Sequence, residues 1–269
     1  MSKVIFITGG SSGIGKAMGD FLTDKGFVVY GTSRNPDRLS EDFKFELVKM
    51  DVCNADSVSA AISEVIQKEN RLDVIINNAG VGITGPIEET PDTEIHKAFD
   101  TNVYGPIRVI KAALPQMRSQ GKGLIINITS IAGYMGLPYR GIYSATKSAL
   151  EITTEAIRME TKQFGIEITN VAPGDFVTNI AAGRYHAPEL EHSPYRKDYG
   201  ATLKMMNEHV DAGEDPVQMA ETIYRIINTP KPKVRYKVGA FLQKFSIVLK
   251  RVLPQRMYER MLMNHYKLK

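Results

Sequence analysis

Short runs of β-branched and aliphatic residues alternate along this chain with longer stretches in which apolar positions recur at helical spacing. Residues 3–8, 27–32, 46–50, 73–76, 123–129 and 167–171 read as strands, most of them apolar on both faces. A strand without a polar face has to be covered on both sides, as in a parallel sheet flanked by helices. Helices are expected at about 14–25, 54–69, 91–120, 143–163 and 216–229, with Pro91 and the pair Asp215-Pro216 as opening signals. The repeated alternation predicts an α/β fold, a single doubly wound Rossmann-type parallel sheet with helices on both faces.

The alternation fails between residues 179 and 215, where Gly, His, Pro and Tyr are dense. A long irregular stretch inside a compact domain predicts a substrate lid, at about 180–215. Further on, Phe241, Phe245, Val248 and Val252 fall at i, i+4, i+7 and i+11 with Lys244, Lys250 and Arg251 beside them, the pattern of an amphipathic helix. No repeat or Pro/Ser-rich linker marks a boundary, so the 269 residues read as one unit. Its parts are a catalytic domain over 1–230 and a basic amphipathic extension over 231–269 packed on that domain.

Charge sharpens this division. Of 34 Lys/Arg and 30 Asp/Glu, 11 basic residues and one acidic residue, Glu259, lie in 231–269, giving +10 there and −6 before it. Such a segment suits peripheral contact with an anionic membrane as well as simple packing. It carries no nucleic-acid reading motif, so nucleic acid is not an expected partner. A lone cysteine, Cys53, excludes an intrachain disulfide and leaves no cysteine cluster for a metal. No metal is expected, and a cytoplasmic location follows from the cysteine usage and from the lack of a targeting or membrane-spanning run.

The candidate chemistry begins directly after the first strand, with Thr8-Gly9-Gly10-Ser11-Ser12-Gly13-Ile14-Gly15 leading into a helical pattern. Glycines at these places let backbone N–H groups approach a pyrophosphate at the positive end of a helix. The spacing, T-G-x-x-x-G-x-G, is neither G-x-G-x-x-G nor a Walker loop. Asp51 follows the third strand, Asn77-Asn78-Ala79-Gly80 the fourth, and Pro173-Gly174 with Thr178 the sixth. In this order the motifs resemble the short-chain dehydrogenase/reductase family, over about residues 3 to 180.

The resemblance implies a bound NADP(H) or NAD(H). Gly9, Ser11, Ser12, Gly13, Ile14 and Gly15 would cradle the phosphates, and Asp51 and Val52 would face the adenine. Asn78, Ala79 and Gly80 would steady the loop beside the ribose, while Pro173, Gly174, Phe176 and Thr178 would flank the nicotinamide. The end of the second strand separates the two cofactors, because a carboxylate there accepts the ribose 2′-OH and a guanidinium pairs with a 2′-phosphate. This chain has Ser33-Arg34 with no acid before Asp37, which favours NADP(H). Many NADP-preferring relatives carry a second basic residue where Ser12 stands, so the preference rests on Arg34, with Lys16 or Arg38 as helpers.

Tyr143 and Lys147 are four residues apart, on one face of a helix. Tyrosine ordinarily deprotonates near pH 10, and a nearby ammonium favours the phenolate, so such a pair can pass a proton to or from an oxygen. Ser130, at the end of the strand before that helix, can hold the substrate oxygen. By resemblance these are the family's catalytic residues, with Asn102 bending its helix and relaying a water to the lysine; Tyr143 and Lys147 would also touch the cofactor.

The expected activity is interconversion of a carbonyl and an alcohol. Ile83, Phe176, Ile180, Tyr185, Met205 and Met206 point to a lipophilic substrate such as a steroid, a retinoid-like alcohol or a long-chain keto compound. The alternatives are a small polar ketone or sugar, and a protein that senses NADP(H) without turnover. The latter class usually lacks the tyrosine, lysine or serine retained here. The resemblance further implies a homodimer or homotetramer built on the helices near 91–120 and 143–163.

Overall fold

Four consecutive aliphatic and aromatic residues, all buried, make the first strand, β1 (Val4–Ile7), of a sheet that runs through the molecule. The computed structural model describes residues 2–39, 42–176, 183–211 and 213–268. In chain order β1 is followed by α1 (Gly13–Asp24), β2 (Val28–Ser33), β3 (Glu46–Lys49), α2 (Ala55–Glu69), β4 (Val74–Asn77) and the short β5 (Ile83–Thr84). Then come α3 (Asp92–Phe99), α4 (Gly105–Gln120), β6 (Gly123–Ile128), α5 (Gly141–Thr161) and β7 (Ile166–Pro173). The last elements are β8 (Tyr185–His186), α6 (Arg196–Asp211), α7 (Pro216–Ile227), β9 (Arg235–Val238), α8 (Phe241–Val252) and α9 (Gln255–His265).

The main sheet has seven parallel strands in the order β3-β2-β1-β4-β6-β7-β9, the doubly wound α/β arrangement expected. Strand pleating divides its side chains between two cores. Phe6, Ile75, Ile125 and Ile168 meet Val58 and Ile62 of α2 and Val109 and Ile110 of α4 on one face. Ile5, Ile7, Ile76 and Ile126 meet Met18 and Leu22 of α1 and Met219 and Ile223 of α7 on the other. Each fully buried side chain of this size contributes about 1.5–3 kcal/mol, so both faces hold the sheet.

Four features differ from the sequence reading. The helix expected over 91–120 is broken into α3 and α4 by a π-helical segment, Asp100–Tyr104, with Pro106 opening α4. Pro106 cannot donate a backbone hydrogen bond, and the Asn102 side chain is tied to the chain outside the helix. The sheet does not end before residue 230: β9 pairs in register with β7, Asn170 opposite Arg235 and Pro173 opposite Val238. With two cations in four residues and only Val238 fully buried, this edge strand lacks an apolar signature.

The stretch 179–215 is more ordered than expected where it is described. Tyr185 and His186 pair with β5, and α6 seats Tyr199, Thr202 and Met206 in the interior while most of its other side chains are polar. Three inward positions among the described side chains of this helix leave a weak helical signature. The apolar stripe of α8 also faces outward: Phe241 is 72% exposed and Val252 72%, whereas Ile247 is buried. The extension docks instead through Ile247 and Tyr258 against Ile131 and Met135. Among the described residues no helix is long and apolar enough to cross a membrane.

Candidate active site

Parallel strands deliver their following loops to one edge of a sheet, which is where ligands of doubly wound folds bind. Here those loops enclose a cleft of about 640 Å³, in the range of small-molecule and cofactor sites. Thr8, at the end of β1, fixes two loops at once: its hydroxyl accepts the N–H groups of Asn78 (3.0 Å) and Ala79 (2.9 Å). Asn78 returns the contact by donating Nδ2–H to Thr8 O and Gly9 O, both at 3.0 Å. Gly9 has φ +65°, and a Cβ at Gly15 would collide with Gly9 O and come within 2.7 Å of Asn78 Nδ2. Glycine at 15 is what allows the loop to fold onto the start of α1.

The first turn of α1 has no capping side chain and no acidic residue, and Ser11, Ser12, Gly13 and Ile14 line the cleft there. An uncapped, acid-free helix start against a cradle too tight for side chains fits the phosphates of a dinucleotide. Arg34 and Arg38 stand exposed at the same end, with Ser33, Asp51 and Val52 along the wall. Asp51 is engaged locally, accepting the Cys53 N–H at 2.9 Å. Lys16, expected as a possible helper, pairs with Asp20 at 2.8 Å and is not among the residues lining the cleft.

At the other end α5 presents Tyr143 and Lys147. Lys147 is buried, donates from Nζ to Ile128 O at 3.0 Å, and its Nζ lies 5.9 Å from the centre of the Tyr143 ring. The turn Ile131–Tyr134 packs close to α5; a Cβ on Gly133 would lie 3.1 Å from the Lys147 backbone. That turn begins at Ser130, whose Oγ accepts the Ala132 N–H at 3.1 Å and whose own proton has no acceptor among the described residues. Asn102 is fully buried and fully engaged. Its Oδ1 accepts the Val81 N–H at 2.8 Å, and its Nδ2 donates to Val81 O (2.9 Å) and Thr146 Oγ1 (3.1 Å). Gly80 separates it from the lysine, since a Cβ there would lie 3.2 Å from Asn102 Oδ1 and 3.4 Å from Lys147 Nζ.

Pro173, Gly174 and Phe176 also line the cleft; Thr178 and Ile180 lie outside the described residues. Four residues read as substrate contacts are elsewhere. Ile83 and Tyr185 pair in the small β5–β8 sheet, and Met205 and Met206 belong to α6; none of them lines the cleft. The space beyond Tyr143 is bounded instead by Arg140, Asp175, Gly183 and Arg184, which the sequence reading missed. Arg140 precedes Tyr143 by one helical turn, a spacing that could have revealed it. The extension reaches the same wall: Gln243 donates to Asp175 Oδ2 at 2.7 Å and accepts the Asp175 N–H at 3.2 Å.

The sequence profile of the short chain dehydrogenase family matches residues 3–189. A 3-ketodihydrosphingosine reductase of Bacteroides thetaiotaomicron is 38% identical over 260 residues, covering 96% of this chain and 95% of that protein. Human 17-beta-hydroxysteroid dehydrogenase type 1 is 31% identical over 252 residues, covering 87% of this chain and 76% of that one. A solved short-chain dehydrogenase from Streptomyces avermitilis superposes with TM-score 0.83 at 30% identity, over 99% of this chain and 97% of its own. Other solved chains of this fold hold NADP or NAD. With a profile match over most of its length and relatives similar nearly end to end, the chain belongs to the short-chain dehydrogenase/reductase family of oxidoreductases.

Proposed function

We propose that this protein is an NADP(H)-dependent reductase of a lipophilic ketone, or the corresponding alcohol dehydrogenase, with Tyr143, Lys147 and Ser130 as its catalytic residues. The observation that carries this reading is one cleft with two unlike ends: exposed guanidinium groups at Arg34 and Arg38, and a tyrosine, a buried ammonium and a free hydroxyl at the other. The bound nicotinamide would supply or accept the hydride. Tyr143 gives its proton to the carbonyl oxygen in reduction and takes one back in oxidation. Ser130 donates its hydroxyl hydrogen to the same oxygen, because Ala132 occupies its lone pair and not its proton. Lys147 spends one N–H on Ile128 and keeps two for the tyrosine side and the cofactor ribose. With its amide spent on Val81 and Thr146, the Asn102 side chain acts by position, holding the 78–82 segment against α5.

The NADP(H) assignment is supported by Arg34 and Arg38, neither of which forms an ion pair among the described residues. A lipophilic substrate is supported by the names of the two relatives above. The test is NADPH consumption with a panel of long-chain and steroid ketones, repeated with Tyr143→Phe. Turnover should fall by about 10²–10⁴-fold while NADPH binding holds. Wild-type turnover in the variant sinks the mechanism.

The outward face of α8 favours a partner as well. Phe241, Leu242 and Val252 are more than two-thirds exposed beside Lys244, Lys250 and Arg251, in a segment of charge +10. We propose that this face rests on an anionic lipid surface, where each basic residue adds about 1 kcal/mol. Phe241→Ser with Leu242→Ser should abolish cosedimentation with phosphatidylserine vesicles, and salt should weaken the wild-type binding. Equal binding to neutral vesicles would overturn it. Deleting all residues after Thr229 is unsuitable as a control, because it removes β9 from the sheet.

A further inference from the structure

The cleft holds more positive charge beyond Tyr143 than reduction of a carbonyl requires. Lys147 is explained by its place beside the phenol, and Arg140 in part by a hydrogen bond to the buried Tyr266 hydroxyl; Arg184 is not explained. Arg140 is the residue before α5, and its guanidinium carbon lies 5.4 Å from the centre of the Tyr143 ring. Arg184 lies across Gly82, where a Cβ would come within 2.8 Å of Arg184 Cγ and 2.9 Å of Nε. A side chain at position 82 would therefore push this arginine out of the site.

Arg184 Nη1 is buried and has no hydrogen-bond partner among the described residues. Buried guanidinium donors are normally satisfied, and one left open beside a ligand cleft is complementary to something that arrives. Asp175 is the one described carboxylate lining this end, and it is turned to Gln243. Three cations thus face one carboxylate that is already bonded. Burial and the charge of Arg140 pull the Arg184 guanidinium below its ordinary value, so the two arginines repel each other in a partly dry space. An anion between them relieves that repulsion and satisfies the open donor.

We infer that the substrate carries an anionic group, a carboxylate or a phosphate, near its carbonyl, and that Arg184 and Arg140 bind it while Tyr143 protonates the carbonyl oxygen. This rests on the reductase reading above and names the substrate class it leaves open. A guanidinium presents paired donors that match two oxygens of either anion. The same pair of charges repels an ammonium seated between them.

The experiment compares four long-chain probes of equal length: a γ-keto carboxylic acid, its methyl ester, the γ-keto amine, and the phosphate ester of the γ-keto alcohol. Selectivity is read as the ratio of kcat/KM, with NADPH affinity measured separately by fluorescence. The wild type should prefer the acid or the phosphate over the ester by about tenfold or more, with the amine poorest. Whichever anion is preferred identifies its source. Arg184→Gln should erase that preference, and Arg140→Gln serves the same comparison should the first variant fail to bind NADPH. Equal rates for acid and ester in the wild type overturn the inference. A tenfold loss of NADPH affinity with unchanged selectivity also overturns it, by assigning Arg184 to the cofactor. If no ketone is reduced, the reductase reading fails separately, and thermal shift with the γ-keto acid against its ester in the presence of NADP⁺ decides the anion site. Stabilisation by the acid that Arg184→Gln removes upholds the inference, and no difference between acid and ester refutes it.

Discussion

At the scale of single residues, most described side chains around the cleft have their hydrogen bonds committed, and the uncommitted ones that line it are where ligands are proposed to bind. Arg34 is such a group: it is exposed at the cleft, with no ion pair among the described residues. Arg34→Ala should raise KM for NADPH by about tenfold to a hundredfold, the value of a charge-assisted hydrogen bond, and leave KM for NADH nearly unchanged. Steady-state kinetics with both cofactors checks this; equal loss with each would make Arg34 a structural residue. Ser130, Tyr143, Lys147 and the Gly9–Gly15 loop were legible in the sequence because chemistry and backbone geometry restrict their spacing. Arg184 and Gln243 were not, since they reach the cleft from elements with no motif of their own.

At the scale of elements, legibility followed burial. Strand β1 is apolar throughout and β4 and β6 each carry a run of three aliphatic residues, whereas β9 and α6 show few buried side chains among the described residues and leave no periodic trace. The extension α8–α9 touches the body through its own small cluster, separate from the two cores on the sheet. Tyr258, 1% exposed and donating its hydroxyl to Met135 Sδ at 2.7 Å, is the largest side chain in that cluster. Tyr258→Ala should remove about 3–5 kcal/mol from this docking. Because the cluster is separate, the loss should appear as local opening: faster tryptic cleavage at Lys244, Lys250 and Arg251, with little change in the main urea transition. A main transition that moves by the full amount would show the extension to be one cooperative unit with the sheet.

At the scale of the whole molecule, the outer surface of α5 carries Ile152 and Met159, 64% and 73% exposed and seven residues apart, with Tyr104 exposed at the π-helical segment. Apolar positions two turns apart on one helix face suit a second copy of this chain. The homodimer or homotetramer expected from the sequence is therefore proposed to form here, and Met159→Glu should lower the mass measured by light scattering to that of a smaller species. An unchanged mass would place the interface elsewhere.

Every group proposed to move a proton lies before residue 148, while Gln243, from the extension, holds Asp175 on the far wall of the same cleft. The wall fits so closely that a side chain at Gly174 would displace the Gln243 carbonyl. How the molecule reacts is thus inscribed before residue 148, and what it admits is written largely after it, in Asp175, Arg184 and Gln243, with Arg140 as the exception. Descent can redraw the second without rewriting the first, so a lineage built on this scaffold is free to change its diet while keeping its chemistry.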